Sequence, residues 1–178
     1  EKLSDMATPR SEHTTAMIVS ATNDSTVLSA CGENVVTPAT EILTNTTWDA
    51  RANPPQFQQR FAAGFTDRAN IARMVGGIDE TNKQTNRGEW YDVKSGWRLM
   101  PRMQTPRAKF PMLHIAGVRD TTNYYMAIGG ESTTTSSTAD CELFSLPTST
   151  NVNGIWEPFN QLVNSGYDKV ASIDTFNL

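Results

Sequence analysis

Two histidines, two cysteines and four tyrosines are the side chains of this 178-residue chain best suited to holding a transition metal or a radical. His13, His114, Cys31 and Cys141 stand far apart, with no short ligand spacing among them. The adjacent carboxylates Asp79 and Glu80 lie in a turn-rich stretch and read as a solvated pair. No phosphate-binding glycine loop, nucleophile elbow or zinc-finger spacing occurs. Fifteen basic residues against 19 acidic ones leave a formal charge of −4, with no Lys/Arg run. That balance excludes binding nucleic acid by neutralising its phosphates. Two cysteines are too few for a disulfide framework and read as buried free thiols. The sequons at Asn23 and Asn45 could accept glycans, which would suit a secreted or surface-exposed chain without fixing the compartment. These residues imply no cofactor and no catalytic residue.

Any such residues would be positioned by strands. Short apolar runs bounded by turn residues recur throughout, and no apolar run approaches the roughly eighteen residues of a membrane helix. Thr14–Val19, Thr26–Cys31 and Thr40–Thr44 read as the first three strands, with a fourth opening at Trp48. Arg60–Phe65, Asn70–Gly77, Glu89–Val93 and a strand at Trp97 repeat that order. Phe110–Ala116, Tyr124–Gly130, a strand opening at Cys141 and one at Trp156 repeat it again. Runs this apolar predict strands buried on both faces, and His114, inside one of them, is expected to be a satisfied core histidine.

The strands carry a signature with a period of roughly fifty residues. Its clearest copy runs Met74-Val75-Gly76-Gly77, Trp90-Tyr91-Asp92, Trp97 and Met103-Gln104-Thr105-Pro106-Arg107. A second glycine pair, Gly129-Gly130, is followed by Phe144 and Trp156; a degraded copy has Met6-Ala7-Thr8-Pro9-Arg10, Cys31-Gly32 and Trp48. Glycines at the end of a second strand allow a sharp turn or a close backbone approach. The tryptophans offer apolar area to cement neighbouring sheets, and Arg10 and Arg107 are expected to bind carbonyls or a carboxylate between them. His13, three residues beyond Arg10, is expected to pack and hydrogen-bond.

These residues resemble the kelch repeat family. The resemblance implies an all-β, kelch-like β-propeller built of four-stranded antiparallel blades, here incomplete. Blades would fall at about 6–53, 54–100 and 101–159, with the start of a further one at 160–178. Three blades do not close a ring, so the chain is expected to be a piece of a larger protein or to be completed by another chain. The family's usual role is binding, which implies a protein-binding or scaffolding module with a protein partner. Loops joining second to third strands, and each blade to the next, would form the binding face. On it, Arg51, Lys83 and Arg87 are the cations expected to grip an acidic segment. Copper radical oxidases resembling galactose oxidase share the propeller and are the enzymatic alternative; they would need the histidines, tyrosines and a cysteine to converge.

Overall fold

The structure, a computed structural model, describes residues 3–19, 25–33, 40–54, 60–67, 70–116, 123–132, 138–146 and 153–159. Among these there is no helix long and apolar enough to cross a membrane, and every regular element is a strand. The first sheet contains β1 (Thr14–Val19), β2 (Ser25–Ala30), β3 (Thr40–Thr44) and β4 (Thr47–Arg51) in that spatial order. The second contains β5 (Ala63–Thr66), β6 (Ala72–Val75), β7 (Gly88–Asp92) and β8 (Gly96–Met100). A two-residue strand β9 (Arg107–Ala108) precedes the third sheet, formed by β10 (Met112–Ala116), β11 (Asn123–Ile128), β13 (Cys141–Ser145) and β14 (Ile155–Phe159). Between β11 and β13, β12 (Glu131–Ser132) pairs back with β9. Every pairing is antiparallel, so each sheet is a simple meander.

The sheets stack in chain order, with β1 against β5 and β6, and β5 against β10. Residues directly opposite in an antiparallel ladder share a face, so the registers assign the packing. Ala16, Leu28 and Ile42 form one row of the first sheet and meet Ala72, Met74 and Tyr91 of the second. From the reverse face of the second sheet, Val75 and Met100 meet Tyr125, Ala127, Phe144 and Trp156 of the third. The core is therefore two apolar layers between three sheets. Trp97 and Trp156 clamp these layers: Trp97 Nε1 donates to Thr40 Oγ1 at 3.1 Å, and Trp156 Nε1 to the Pro101 carbonyl at 3.1 Å.

Three identical corners lead into the sheets. Glu12, Phe61 and Lys109 each lie two residues before the repeat-equivalent start of a first strand, with φ of 55°, 55° and 53°. Cys31-Gly32, Gly76-Gly77 and Gly129-Gly130 end the second strands with both residues at positive φ. A Cβ on Gly130 would lie 2.8 Å from the Ala108 carbonyl oxygen, so the glycine is required by close backbone approach as well as by its φ of 97°.

Several expectations need correction. Arg10 and Arg107 do bind a carboxylate and carbonyls, but inside their own repeat rather than between sheets. Arg107 Nη2 donates to Glu142 at 2.8 Å, while its Nη1 donates to the carbonyls of Gly129 and Asp140 at 2.9 and 2.7 Å. The Met-x-Thr-Pro-Arg segment folds back as a strap over its own third strand, so Glu142 also accepts from the Gln104 and Thr105 N–H groups at 2.6 and 2.9 Å. Glu41 plays the same part for Arg10 and for the Ala7 and Thr8 N–H groups. His114 is exposed, stacked on Tyr125, because β10 is the first strand of its sheet and lies at a sheet edge. His13 packs against the Gly32 corner, but its buried Nδ1 has no hydrogen-bond partner. The strands are not all buried on both faces: on the two end sheets Met17 and Ile155 are 56% and 44% exposed.

Candidate functional site

Loops gather at the end of the stack where the second strands finish. There the segment before each first strand bridges the segment after each second strand: Ser11 with Glu33, Arg60 with Ile78, and Ala108 with Glu131. The corner residues join in series, because Phe61 N–H donates to the Glu12 carbonyl at 2.9 Å and Lys109 N–H to the Phe61 carbonyl at 3.2 Å. This backbone ladder runs across the three sheets rather than within one, and it fixes the spacing of the corners.

Residues 76–87, joining β6 to β7, form the best-defined loop. Asp79 organises it: Oδ1 accepts from Thr81 N–H at 2.9 Å, Thr81 Oγ1 at 2.7 Å and Lys83 N–H at 3.2 Å. Asp79 N–H returns a bond to the Lys83 carbonyl at 2.9 Å, and Thr85 N–H reaches Gly77 at 2.9 Å. Burial pushes the Asp79 carboxyl up, but the Thr81 hydroxyl, these two N–H groups and the nearby Arg87 charge together hold it below its ordinary value. Paired charges flank the loop. Arg60 donates to Asn82 and, at 3.3 Å, to Glu33; Lys109 Nζ pairs with Glu131 at 2.9 Å while lying 4.7 Å from the Phe61 ring centroid.

Lys83 and Arg87 share this loop, Lys83 exposed and Arg87 half-buried. Arg51 sits at the same end, on β4 opposite Thr40, the residue with which the third strand begins. It is held between neighbours: Nη2 lies 3.7 Å from Asp49, and its charge and a hydrogen bond oppose the rise that burial imposes on the Tyr91 phenol, to which Asp92 adds. The structure thus brings all three cations to one end, with Arg51 partly committed to the contact between first and second sheets. Asn45 lies exposed in the β3–β4 turn at φ 56°, while Asn23 falls outside the described residues. So do most of the loop at 33–39, half of those at 51–58 and 131–140, and all of 161–167.

Two further sets of residues have roles that the sequence pattern does not assign. Arg60, Glu33 and Asn82 form the rim beside the loop, and Glu41 and Glu142 anchor the straps. A signal for the anchors exists, since Glu precedes an apolar pair in Glu41-Ile42-Leu43, Glu89-Trp90-Tyr91 and Glu142-Leu143-Phe144. Chemically, the end offers an exposed cation, Lys83, and the half-buried Arg87 on a loop held together by the Asp79 hydrogen bonds. Among the described residues no group of three His, Cys, Asp or Glu is placed to hold a metal ion. His13 lies just before β1 of the first sheet and His114 in β10 of the third, with the second sheet stacked between those two. Cys31 and Cys141 are both buried, and neither forms a disulfide.

Fold and geometry define an all-β protein of stacked four-stranded antiparallel meanders. No family model and no curated protein matches the chain. Among solved structures it is similar to one described as "Structure of YjhT", with a TM-score of 0.62 at 17% identity. The match covers 90% of this chain and 54% of that one, so the chain spans about half of that protein's length.

Proposed function

We propose that the chain is a kelch-like propeller segment whose loop-bearing end binds a protein partner, a scaffolding module within a larger protein or assembly. The observation that carries this reading is the corner ladder through Glu12, Phe61 and Lys109, which ties the three repeats together beside the points where their second strands end. Rigid scaffolds that present adjacent loops are where recognition usually resides. The stacking order and the fold likeness support the propeller arrangement. Lys83 and Arg87, on a loop braced by Asp79, give the end its preference for acidic segments.

A random peptide library panned on the immobilised protein tests it. Enrichment of acidic peptides whose affinity falls at least about tenfold, some 1.4 kcal/mol, in a Lys83→Glu, Arg87→Gln variant with an unchanged circular dichroism spectrum is expected. No enrichment, or peptides indifferent to both substitutions, would overturn the reading.

A further inference from the structure

Each sheet ends in a last strand, β4, β8 or β14, that pairs on one side only. Two of these three edges are closed. On β4 the Trp48 N–H donates to Ser4 Oγ at 3.2 Å, and the Ser4 N–H donates to the Thr46 carbonyl at 2.8 Å. On β14 the ladder sets Pro158 opposite Glu142, and proline has no N–H to offer a further strand. In the second sheet the same place belongs to Leu99 of β8, which stands opposite Glu89. Glu89, like Glu142, is the second residue of its sheet's third strand.

Hydrogen bonding within the second sheet decides which groups β8 turns outward. Gly76 N–H donates to the Arg87 carbonyl at 2.8 Å, so Glu89 and Tyr91, at alternate positions, bond back to β6. Trp90 is left to bond Arg98, while Trp97 and Leu99 turn their N–H and C=O groups away from β7. Among the described residues nothing is bonded to those outward groups. The side chains of this edge are cationic. Lys94, Arg98 and Arg102 are exposed, and none forms an ion pair among the described residues. The Arg98 guanidinium lies over the Trp90 ring, 5.4 Å from its centroid, and Leu99 is 52% exposed. Neither carboxylate of the β7–β8 hairpin offsets these charges at the edge. Asp92 Oδ1 accepts from Lys94 N–H, Ser95 N–H and Ser95 Oγ at 2.9, 2.8 and 3.0 Å, and Glu89 is completely buried.

We propose that β8 takes an extended acidic segment of a partner protein as a fifth strand of the second sheet. Backbone bonds to Trp97 and Leu99 hold the segment in register. A carboxylate answers Arg98 on one face, and an apolar side chain covers Leu99 on the other. Arg102, just beyond the strand, takes a second carboxylate. The same cations repel another cationic edge, so β8 is guarded against pairing with its own copy. The chain's own stretches outside the described residues do not supply such a segment, because no two of their acidic residues stand within five positions of each other. This proposal is independent of the loop-end reading, whose cations Lys83 and Arg87 lie between β6 and β7.

The probe is a fluorophore-labelled, capped peptide of alternating glutamate and valine, with binding read by anisotropy and located by amide hydrogen exchange. In the unbound protein the Trp97 and Leu99 amides should exchange rapidly while that of Arg98 is protected, and saturating peptide should slow the first two. Protection of both before peptide is added would mean the edge is already covered, and overturns the proposal. Leu99→Pro, which copies Pro158 and removes an outward N–H, should weaken binding at least about tenfold, as should Arg98→Glu. Both positions are exposed, and an unchanged circular dichroism spectrum verifies the fold. Lys83→Glu with Arg87→Gln should leave the peptide's affinity unaltered. Loss of binding there would seat the peptide at the loop end and overturn strand addition alone. No binding, or binding indifferent to both Leu99→Pro and Arg98→Glu, also overturns it.

Discussion

Arg107 is completely buried, yet it is a cation with Glu142 beside it at 2.8 Å and two backbone carbonyls on its other terminal nitrogen. A buried charge survives only when paired and hydrogen-bonded. The carboxylate is equally well served, by the guanidinium and two N–H groups of the strap. The first repeat solves the problem the same way with Arg10 and Glu41. Beside Arg10, His13 responds to the same surroundings: burial first, and the Arg10 charge second, lower its pKa below 6.5. The unfolded chain therefore takes up this proton before the folded one, so His13 lowers stability as pH falls through about 6.5, and its contribution levels off below the folded pKa. Urea midpoints at pH 7.5 and 5.5 check this. The loss on acidification should be smaller in His13→Gln than in the wild type, and an equal loss would refute the assignment.

Each sheet begins from a corner at positive φ and ends its second strand in another. The glycine pair was plain in the sequence because only glycine meets both demands cheaply there. Glu12, Phe61 and Lys109 were not, since an ordinary side chain in a left-handed corner leaves no local mark. Strand limits slipped for a related reason: the apolar run from Arg60 begins as a corner and an isolated bridge, and becomes strand only at Ala63. The short β9–β12 pair escaped notice because two residues carry no periodicity. Two glycines separate the effects of conformation and contact. Gly96 has φ 75° with nothing within 4 Å of an added Cβ, so Gly96→Ala should cost about 1 kcal/mol of left-handed strain. Gly130→Ala adds contacts at 2.7 Å with Phe110 Cβ and 2.8 Å with the Ala108 carbonyl, and should cost roughly 3 kcal/mol or more. Chemical denaturation of the two variants ranks them, and equal losses would mean the corner relaxes.

Stacking makes otherwise equivalent tryptophans unequal. Trp156 is 6% exposed, set in the layer between second and third sheets and bonded to Pro101, whereas Trp48 is half-exposed on the outward face of the first sheet. Trp156→Ala should cost about 3–5 kcal/mol and Trp48→Ala about 1 kcal/mol. Thermal unfolding of both variants tests the asymmetry; comparable losses would mean that the outward face is already covered. The repeated glycines, tryptophans and Pro-Arg straps were legible in the residues alone, because backbone sterics and alternating apolar runs act over a few neighbours. So was the strand content, and so were the cations of the loop end. Which face of each sheet meets a neighbour, which Glu each Arg finds, and why His114 lies in solvent were settled by the stack, since those outcomes depend on residues brought together from more than thirty positions away. A repeat makes its copies alike in sequence, but position in the stack leaves Val27 and Leu43 of the first sheet partly exposed where Ala72 and Tyr91 of the second, and Tyr125 and Phe144 of the third, are buried.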